Sequence, residues 1–579
     1  MRNPIELPFS TPSSITRRRF MQASAATLGG LLVAGPGLGQ QEAPELTICP
    51  KSAPPARKLC AFRMEELTSF SWDMRLTLTC LQGLVNRSKP RLYLVHDYYD
   101  ELWLDWLRER GDIDEVKWLE IADVFGQFLP EAKVVFVTDP AIPATINVAT
   151  MLASVHDGLV ATPHVASQFD LPMGHLPDSW NMGMDLAFMN WKKDLDAYRW
   201  AFENIGDQLS RRALAILDPH EVALRDYLLE FKIPVLWISG AQDVAKQPQA
   251  SPAEEKEFAR EVFMKWPANI PCFGWPGSGD EPQGGIGEWD GVRLFSECGK
   301  FELCSGYDGY SPAVGNLSVH SGTSAKVHQA IPPVNLQRDK VYFCFTRSDG
   351  DGWNFQRHFY RKLFTDRTHG RVPIGWQMNP AALDGQPDIV DYFFKHAKPG
   401  DCFVNALSGV GYIHEDVYAN NYPPEQREQI WRDFVRISGT YRARLDATVM
   451  STLAEMSPER LALLAGIPGM KGIFANYGRT HVTTRENTNT VVGGIPVFRS
   501  VNVGPPAGYN WTPSSRRDSE FFMINEIKHR TPSERPALLH VFLGNWLTDM
   551  EMAANIADGL GPEYVAVRPD QLVLLYQQR

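Results

Sequence analysis

This chain of 579 residues lacks the cysteine pairs and the long apolar runs that mark metal-cluster and membrane proteins. Its eight cysteines include no C-x-x-C pair, which argues against a zinc cluster, although Cys298 and Cys304 could form a disulfide in an oxidising compartment. The apolar stretch from Ala23 to Ala34 is too short and too rich in glycine to span a bilayer. We therefore expect a globular protein with no transmembrane segment in its mature form.

Motifs of several enzyme classes are also missing. The glycines of GGIGEWDG (residues 284–291) have the wrong spacing for a dinucleotide fingerprint, and no strand-like run leads into them. The sequence HEVAL at His220 lacks the second histidine of a zinc protease, and Ser408 is not part of a G-x-S-x-G elbow. We expect no cofactor.

The N-terminus carries the most specific local signal. TRRRFMQ (residues 16–22) precedes the short apolar stretch and resembles a twin-arginine export signal, with Arg17 and Arg18 as the pair. Residues 1–40 would then be removed by cleavage, and the alternative is a basic disordered tail. We expect a periplasmic or secreted protein whose partner during export is the twin-arginine machinery.

Charge narrows the range of binding partners. Residues 1–40 contain four arginines and one glutamate, so their removal changes the net charge from -11 to -14. An acidic exported protein is a poor candidate for binding nucleic acid or anionic lipid, whereas neutral or basic substrates are easier to accommodate.

The chain divides into two parts with different patterns. Residues 57–335 alternate short apolar strands with amphipathic helices, which predicts an α/β region. Within this part, residues 250–315 are rich in Gly, Pro and Trp, and we expect a long ordered loop or a lid over a cleft. Residues 336–579 have a more regular rhythm and form the predicted catalytic domain.

The second part contains eight strand-like runs separated by helix-compatible stretches. Runs that are apolar almost throughout are typical of parallel strands buried on both faces. The leading prediction is a (β/α) barrel-like domain of seven or eight strands, and a doubly wound sheet is the alternative. The eight runs lie at residues 341–346, 372–378, 401–407, 445–451, 472–477, 496–501, 537–543 and 564–568.

Barrel enzymes carry their chemistry at the C-terminal ends of the strands, so the residues that follow each run are candidate site residues. Carboxylates can act as general acid, base or nucleophile on a glycosidic bond, while aromatic rings and amides bind sugars. The candidate catalytic carboxylates are Asp349, Asp351, Glu415, Glu455, Asp549 and Glu551. The candidate substrate-binding residues are Trp353, Asn354, Trp376, Tyr412, His414, Asn476, Tyr477, Arg479, His481, Asn545 and Trp546.

The turn SDGDGWN (residues 348–354) is the most distinctive of these strand ends. Two aspartates two residues apart can point the same way and raise each other's pKa, and the same spacing also suits a divalent cation. Turn capping alone would account for one of the two, since aspartate readily hydrogen-bonds its own backbone. Asp349 and Asp351 are therefore the central candidates.

Several motifs together resemble the GxGYxYP glycoside hydrolase family. They are SGVGYIHE (408–415), SDGDGWN (348–354), PIGWQMNPAALDGQPDIVDYF (373–393), YSPAVGNLSVHSG (310–322) and YVAVRPDQLVLL (564–575). The resemblance implies an exported bacterial protein with an α/β N-terminal region and a barrel-like C-terminal domain. The signature matches through Tyr412, but His414 and Glu415 stand where the family has Tyr and Pro.

Three functions remain open from the sequence. The first is a glycoside hydrolase with Asp349 and Asp351 as central carboxylates acting on an extracellular or periplasmic glycan. The second is a metal-assisted polysaccharide deacetylase, in which Asp349 or Asp351 would join histidines on a cation, although no H-x-x-x-H pair follows and His414 and His481 lie on different loops. The third is a glycan-binding protein without catalysis. In each case the partner is a carbohydrate.

Overall fold

The structure is a computed structural model, and it shows an α/β N-terminal region followed by a closed parallel barrel. It describes residues 47–67, 71–168, 184–279, 284–309, 311–475, 477, 489–502 and 509–579. Residues Thr47–Arg579 form one unit.

The N-terminal region is built on three small parallel sheets. The first has β1 (Lys58–Arg63), β2 (Leu92–Val95) and β3 (Glu115–Trp118) in the order β2-β1-β3. The second has β4 (Val134–Val137), β5 (Gly158–Ala161) and β6 (Met184–Asp185) in the order β5-β4-β6. The third has β7 (Leu214–Ile216), β8 (Val235–Leu236), β9 (Pro271–Gly274) and β10 (Phe301–Cys304) in the order β10-β9-β7-β8.

One of the helices between these strands shows clear start and stop signals. Helix α2 begins after Asp97, whose side chain accepts hydrogen bonds from the backbone N–H groups of Tyr99 and Asp100, and it ends at Gly111 in the left-handed conformation. The helices are α1 (Ser71–Asn86), α2 (Tyr98–Arg110), α3 (Ile121–Phe128), α4 (Ala144–His156), α5 (Pro163–Gln168), α6 (Asp194–Ile205), α7 (Arg225–Glu230), α8 (Ala241–Lys246), α9 (Pro252–Lys265), α10 (Glu288–Glu297) and α11 (Leu317–His320). Short 3₁₀ turns lie at Met64–Glu66, Leu129–Glu131, Leu186–Met189 and Gly206–Gln208.

The segment 250–315 differs from the loop or lid that its composition predicts. It contains helices α9 and α10 and strands β9 and β10, which complete the third sheet. The strands are only four residues long and are flanked by Gly, Pro and Trp, so the composition of the turns hides the regular elements between them. The segment is therefore part of the third sheet domain, and its turns face the barrel.

The C-terminal region confirms the predicted barrel. Seven parallel strands form a closed ring in the order β12-β13-β14-β15-β17-β18-β11, and pairing of β11 with β12 closes it. A further strand, β19, pairs in parallel with the start of β11, and β16 pairs antiparallel with β17. The strands are β11 (Val341–Arg347), β12 (Ile374–Met378), β13 (Asp401–Asn405), β14 (Val449–Ser451), β15 (Gly472–Ala475), β16 (Thr490–Val492), β17 (Ile495–Asn502), β18 (Ala537–Leu543) and β19 (Tyr564–Ala566).

Helices surround the ring and cover the outer face of its strands. Strands β11, β12, β13 and β18 are buried at every residue, as expected for a parallel sheet covered on both faces. The helices are α12 (Trp353–Phe355), α13 (Arg361–Phe364), α14 (Ala382–Gly385), α15 (Pro387–His396), α16 (Pro424–Arg444), α17 (Pro458–Ala465), α18 (Pro513–Arg530), α19 (Met550–Leu560) and α20 (Pro569–Gln577). A turn of π-helix at Gln356–Tyr360 joins α12 to α13.

Two expectations about the whole chain can be compared with this fold. All eight cysteines are free thiols, so Cys298 and Cys304 do not form the disulfide considered above; the Cys298 thiol accepts from Asn421 Nδ2. Within the described ranges, no helix has both the length and the apolar character needed to cross a bilayer.

Candidate active site

The loop after β11 places Asp349 and Asp351 at the C-terminal end of the barrel. Asp349 has a left-handed backbone (φ 61°), and its N–H donates to the Tyr477 hydroxyl at 2.5 Å. The Ser348 hydroxyl donates to the Asp349 carboxylate. A Cβ atom at Gly350 would lie 1.5 Å from the carbonyl oxygen of Gln377 in β12, so only glycine fits there. The close approach holds the loop against the rim of the barrel.

The third sheet supplies a second group of carboxylates. Glu302 lies in β10, Asp308 follows that strand, and Glu288 is the first residue of α10. The amide of Asn354, on the barrel side, donates to the Gly306 carbonyl at 2.9 Å and to the Asp308 carboxylate at 3.0 Å. Asn354 therefore connects the loop after β10 to the loop after β11.

The G-V-G-Y segment explains how the two parts of the chain meet. A Cβ atom at Gly411 would lie 2.4 Å from the Phe301 ring, so glycine lets this loop run against β10. Tyr412 and Glu302 then exchange two backbone hydrogen bonds of 2.9 and 3.0 Å. The Tyr412 hydroxyl donates to the Glu288 carboxylate at 2.7 Å. Tyr412 is thus a positioning residue for two of the carboxylates.

We call Glu288, Glu302, Asp308, Asp349 and Asp351 the acidic cluster. The side chains range from buried to open: Glu302 is 1% exposed and Asp351 8% exposed, Asp308 and Asp349 are half-buried, and Glu288 is exposed. Trp289, next to Glu288, is 42% exposed and packs edge-on against His414 with ring centroids 4.0 Å apart. The cluster is therefore open to solvent beside an exposed aromatic ring.

Three carboxyl groups of the cluster have raised pKa values. Burial, together with the charges of Glu288 and Asp308, raises the pKa of Asp351 to about 7. Burial first and then the neighbouring carboxylates raise the pKa of Glu302 and of Asp349 well above their ordinary values, and the Ser348 hydroxyl partly opposes the shift at Asp349. Among the described residues, neither oxygen of Glu302 nor Oδ1 of Asp351 has a hydrogen-bond partner. The oxygens of these carboxyl groups can therefore bind a ligand or carry a proton for transfer.

The other predicted carboxylates have structural partners. Glu415 is buried and accepts from the backbone N–H groups of Leu453 and Ala454, both at 2.8 Å, and burial raises its pKa to about 7. Glu455 is 62% exposed at its side chain and pairs with Arg499 at 3.0 Å.

Asp549 and Glu551 lie at the start of α19. Asp549 accepts from the Met552 N–H at 2.9 Å, as a helix cap, and both carboxylates pair with Arg516 at 2.5 and 3.4 Å. The structure therefore joins Asp349 and Asp351 to acids from the third sheet, and gives these four predicted carboxylates other contacts.

The two predicted sugar-binding tryptophans lie in the core, which corrects the expectation from sequence. Trp353 is completely buried and packs against Phe273 with ring centroids 5.6 Å apart. Trp376 is completely buried and donates from its ring to Asp401 at 2.8 Å. Neither ring offers a face to a sugar, because both side chains are completely buried.

The remaining predicted residues divide into three groups. Tyr477 binds the Asp349 loop, as described, and His414 packs against Trp289 while its backbone N–H donates to Ser296 at 2.9 Å. Asn545 is buried; its N–H donates to the Ser348 hydroxyl at 3.0 Å, and Trp546 beside it is half-buried. Asn476, Arg479 and His481 lie outside the described residues.

Sequence reasoning missed Glu288, Glu302 and Asp308. All three come from the segment interpreted as a loop or lid, where GEWDG, FELC and YDGY do contain acids beside aromatic residues. The repeated occurrence of an acid beside an aromatic residue was a signal in the sequence. Only the close approach of Gly411 to β10, however, shows that these acids meet Asp351. In the described part of the chain, no three Asp, Glu, His or Cys side chains are arranged as ligands of one metal ion.

Comparisons with known proteins agree with this division of the chain. Family models match as the GxGYxYP first domain over residues 61–125, the GxGYxYP third domain over 211–322 and the GxGYxYP putative glycoside hydrolase C-terminal domain over 339–577. A crystal structure described as a putative hydrolase from Bacteroides thetaiotaomicron VPI-5482 is similar in fold, with a TM-score of 0.73 and 20% identity over 91% of this chain and 96% of that chain. No curated protein matches. The chain is a member of the GxGYxYP family.

Proposed function

We propose that this protein is a glycoside hydrolase whose reaction takes place at the acidic cluster. The observation that carries the proposal is the meeting of acids from two domains at the C-terminal end of the barrel, where the buried carboxyl group of Asp351, whose pKa is raised, lies near the exposed carboxyl group of Glu288. Hydrolysis of a glycosidic bond generally needs one carboxyl group that donates a proton and one ionised carboxylate. The family description as a putative glycoside hydrolase supports the same reaction class.

Asp351 is the proposed general acid. Its side chain is almost buried, and its pKa of about 7 keeps a large fraction protonated at neutral pH. In the reaction, this proton passes to the glycosidic oxygen as the bond between that oxygen and the anomeric carbon breaks. Glu302 has no hydrogen-bond partner among the described residues, and burial together with the neighbouring carboxylates raises its pKa well above the ordinary value.

Glu288 is the proposed second carboxyl group of the reaction. It is exposed, it begins helix α10, and it accepts from the Tyr412 hydroxyl at 2.7 Å. Both the helix N-terminus and the hydroxyl stabilise a negative charge at this position. Glu288 would either attack the anomeric carbon and form a glycosyl-enzyme that water then hydrolyses, or activate a water that attacks this carbon directly. In both cases the water supplies the oxygen of the new reducing end.

The test is mass spectrometry of a panel of oligosaccharides and polysaccharides after incubation with the purified protein. We expect fragments that have gained one water, no fragments from Asp351→Asn or Glu288→Gln, and full activity from Asp105→Asn, a surface control whose side chain is 65% exposed. Loss of acetyl groups from intact chains would overturn the proposal in favour of a deacetylase. An unchanged panel would overturn it too, and glycans retained on the immobilised protein would then indicate a binding protein.

We also propose that the protein works outside the cytoplasm. The support is the segment TRRRFMQ followed by a short apolar stretch, which has the form of a twin-arginine export signal. A glycan substrate would then be met in the periplasm or outside the cell.

A further inference from the structure

A pocket lies at the edge of the third sheet, beside the acidic cluster. We call it the sheet-edge pocket, and its volume is about 160 Å³. The titratable and aromatic residues that line it are Asp218, His220, Glu221, Trp237, Trp275 and Tyr307. None of these residues belongs to the proposed catalytic machinery. The pocket therefore needs its own explanation.

The position of the pocket follows from the strand order. All four strands of the sheet contribute to it just after their C-terminal ends: Asp218 follows β7, Trp237 follows β8, Trp275 follows β9 and Tyr307 follows β10. The order β10-β9-β7-β8 places β8 on one side of β7 and β9 on the other, which makes a topological switch point between β7 and β9. In open parallel sheets, ligands bind at such a point, in the crevice beyond the carboxyl ends of the strands.

The lining has the chemistry of a site for an uncharged sugar. Tyr307 is 42% exposed, and with Trp237 and Trp275 it gives three aromatic rings around the space. The ring N–H of Trp275 is buried and has no acceptor among the described residues, so it can donate to a hydroxyl. The carboxylates of Asp218 and Glu221 can accept from hydroxyls, and the described residues that line the pocket include no lysine or arginine to pair with an acidic sugar.

One loop connects the pocket to the acidic cluster. Gly306 and Tyr307 form part of the pocket wall, and the next residue, Asp308, belongs to the cluster. Asn354 donates to both the Gly306 carbonyl and the Asp308 carboxylate, which fixes the loop between the two sites. A chain of several sugar units bound at the cluster would extend along this loop.

We infer that the sheet-edge pocket is a binding subsite for an uncharged sugar unit of the substrate, remote from the bond that is cleaved. The inference rests on the proposed carbohydrate function and makes the substrate an uncharged oligosaccharide or polysaccharide instead of a small glycoside. Binding energy from the remote unit positions the chain at the acidic cluster.

The experiment is isothermal titration calorimetry on the Asp351→Asn protein, in which turnover is suppressed. The probes are hexasaccharides of cellulose, xylan, mannan and fully N-acetylated chitin, their disaccharides, and hexagalacturonate as an acidic comparator. At least one uncharged hexasaccharide should bind, and Tyr307→Ala and Trp275→Ala should each weaken it about tenfold while leaving the disaccharide affinity unchanged. Trp118→Ala, which removes a tryptophan of similar exposure (41%) on β3, is the control and should have no effect.

Three results would overturn the subsite. They are no binding by any uncharged hexasaccharide, equal affinity in the Tyr307→Ala protein, and preferential binding of hexagalacturonate. Because Tyr307 is half exposed, its replacement tests the idea even where Trp275→Ala does not fold. Hexasaccharide binding that depends on Tyr307, without products from the unsubstituted protein, would support the subsite while refuting hydrolysis. Products from the unsubstituted protein, together with hexasaccharide binding that does not depend on Tyr307, would support hydrolysis while refuting the subsite.

Discussion

Asp351 shows how position alone converts an ordinary side chain into a candidate acid. The ordinary pKa of an aspartate side chain is 3.8, but burial and the charges of Glu288 and Asp308 raise the pKa of Asp351 to about 7. The sequence indicates the closeness of Asp349 and Asp351, since the two are separated by one glycine. It does not indicate the charges from residues 288 and 308, which arrive from another domain.

The pH dependence of activity should follow from this pKa. We expect kcat/KM to fall above about pH 7, because Asp351 then loses the proton that it donates. The measurement is kcat/KM between pH 4 and pH 9 on the best oligosaccharide of the panel. A profile that stays flat or rises between pH 7 and pH 9 would contradict the assignment of Asp351.

Glu302 should reduce the stability of the folded protein at neutral pH. Its pKa is raised well above 4.5 by burial and by neighbouring carboxylates, so the unfolded chain releases this proton at lower pH than the folded one does. The resulting cost is absent below about pH 4 and grows as the pH rises, by up to about 1.4 kcal/mol for each pH unit.

Replacing Glu302 with glutamine removes this titration. We compare the midpoint of thermal unfolding of the Glu302→Gln protein with that of the unsubstituted protein at each pH. The difference, variant minus unsubstituted, should be larger at pH 7.5 than at pH 4 by about 2 °C or more. Glu109→Gln, at a side chain that is 63% exposed, is the control and should show no such pH dependence. A difference in midpoint that is the same at both pH values would contradict this explanation.

At the level of elements, the barrel strands could be predicted and the third sheet could not be fully predicted. All seven ring strands and β19 coincide with apolar runs, because strands covered on both faces keep an apolar character throughout. Strands β9 and β10 have four residues each and lie among glycine, proline and tryptophan, so they escaped notice. The candidate site was half predicted for the same reason: its barrel side was found, and its third-sheet side was missed.

The loop after β11 depends on the close approach of Gly350 to β12. Gly350→Ala should destabilise the protein by about 1–3 kcal/mol and disturb Asp349 and Asp351, because the added methyl group would meet the Gln377 carbonyl. Gly126→Ala is a matched control with the opposite expected sign. Gly126 lies in α3 with open space around it, so the change should stabilise the helix by about 0.5–1 kcal/mol. Chemical denaturation of both variants measures the two effects, and equal shifts would contradict the argument.

At the level of the whole molecule, we expect export by the twin-arginine route, which the fold does not test and an experiment can. Replacing Arg17 and Arg18 together with lysine should abolish transport into the periplasm of a bacterial host, because the paired arginines are the feature of the signal that export machinery reads. The measurement is the distribution of the protein between cytoplasmic and periplasmic fractions. Arg19→Lys is the control and should be transported normally, and transport of the double variant would refute the twin-arginine route.

The contribution of acids by two domains also has a consequence for the order in which the chain is synthesised. Glu288, Glu302 and Asp308 are made before the barrel, and the Asp349 loop is held by Asn545, which follows β18, the last ring strand in chain order. A ribosome must therefore complete all seven ring strands before the acidic cluster can assemble. If the proposed function is correct, nascent chains and prematurely terminated products that lack β18 would not cleave glycans.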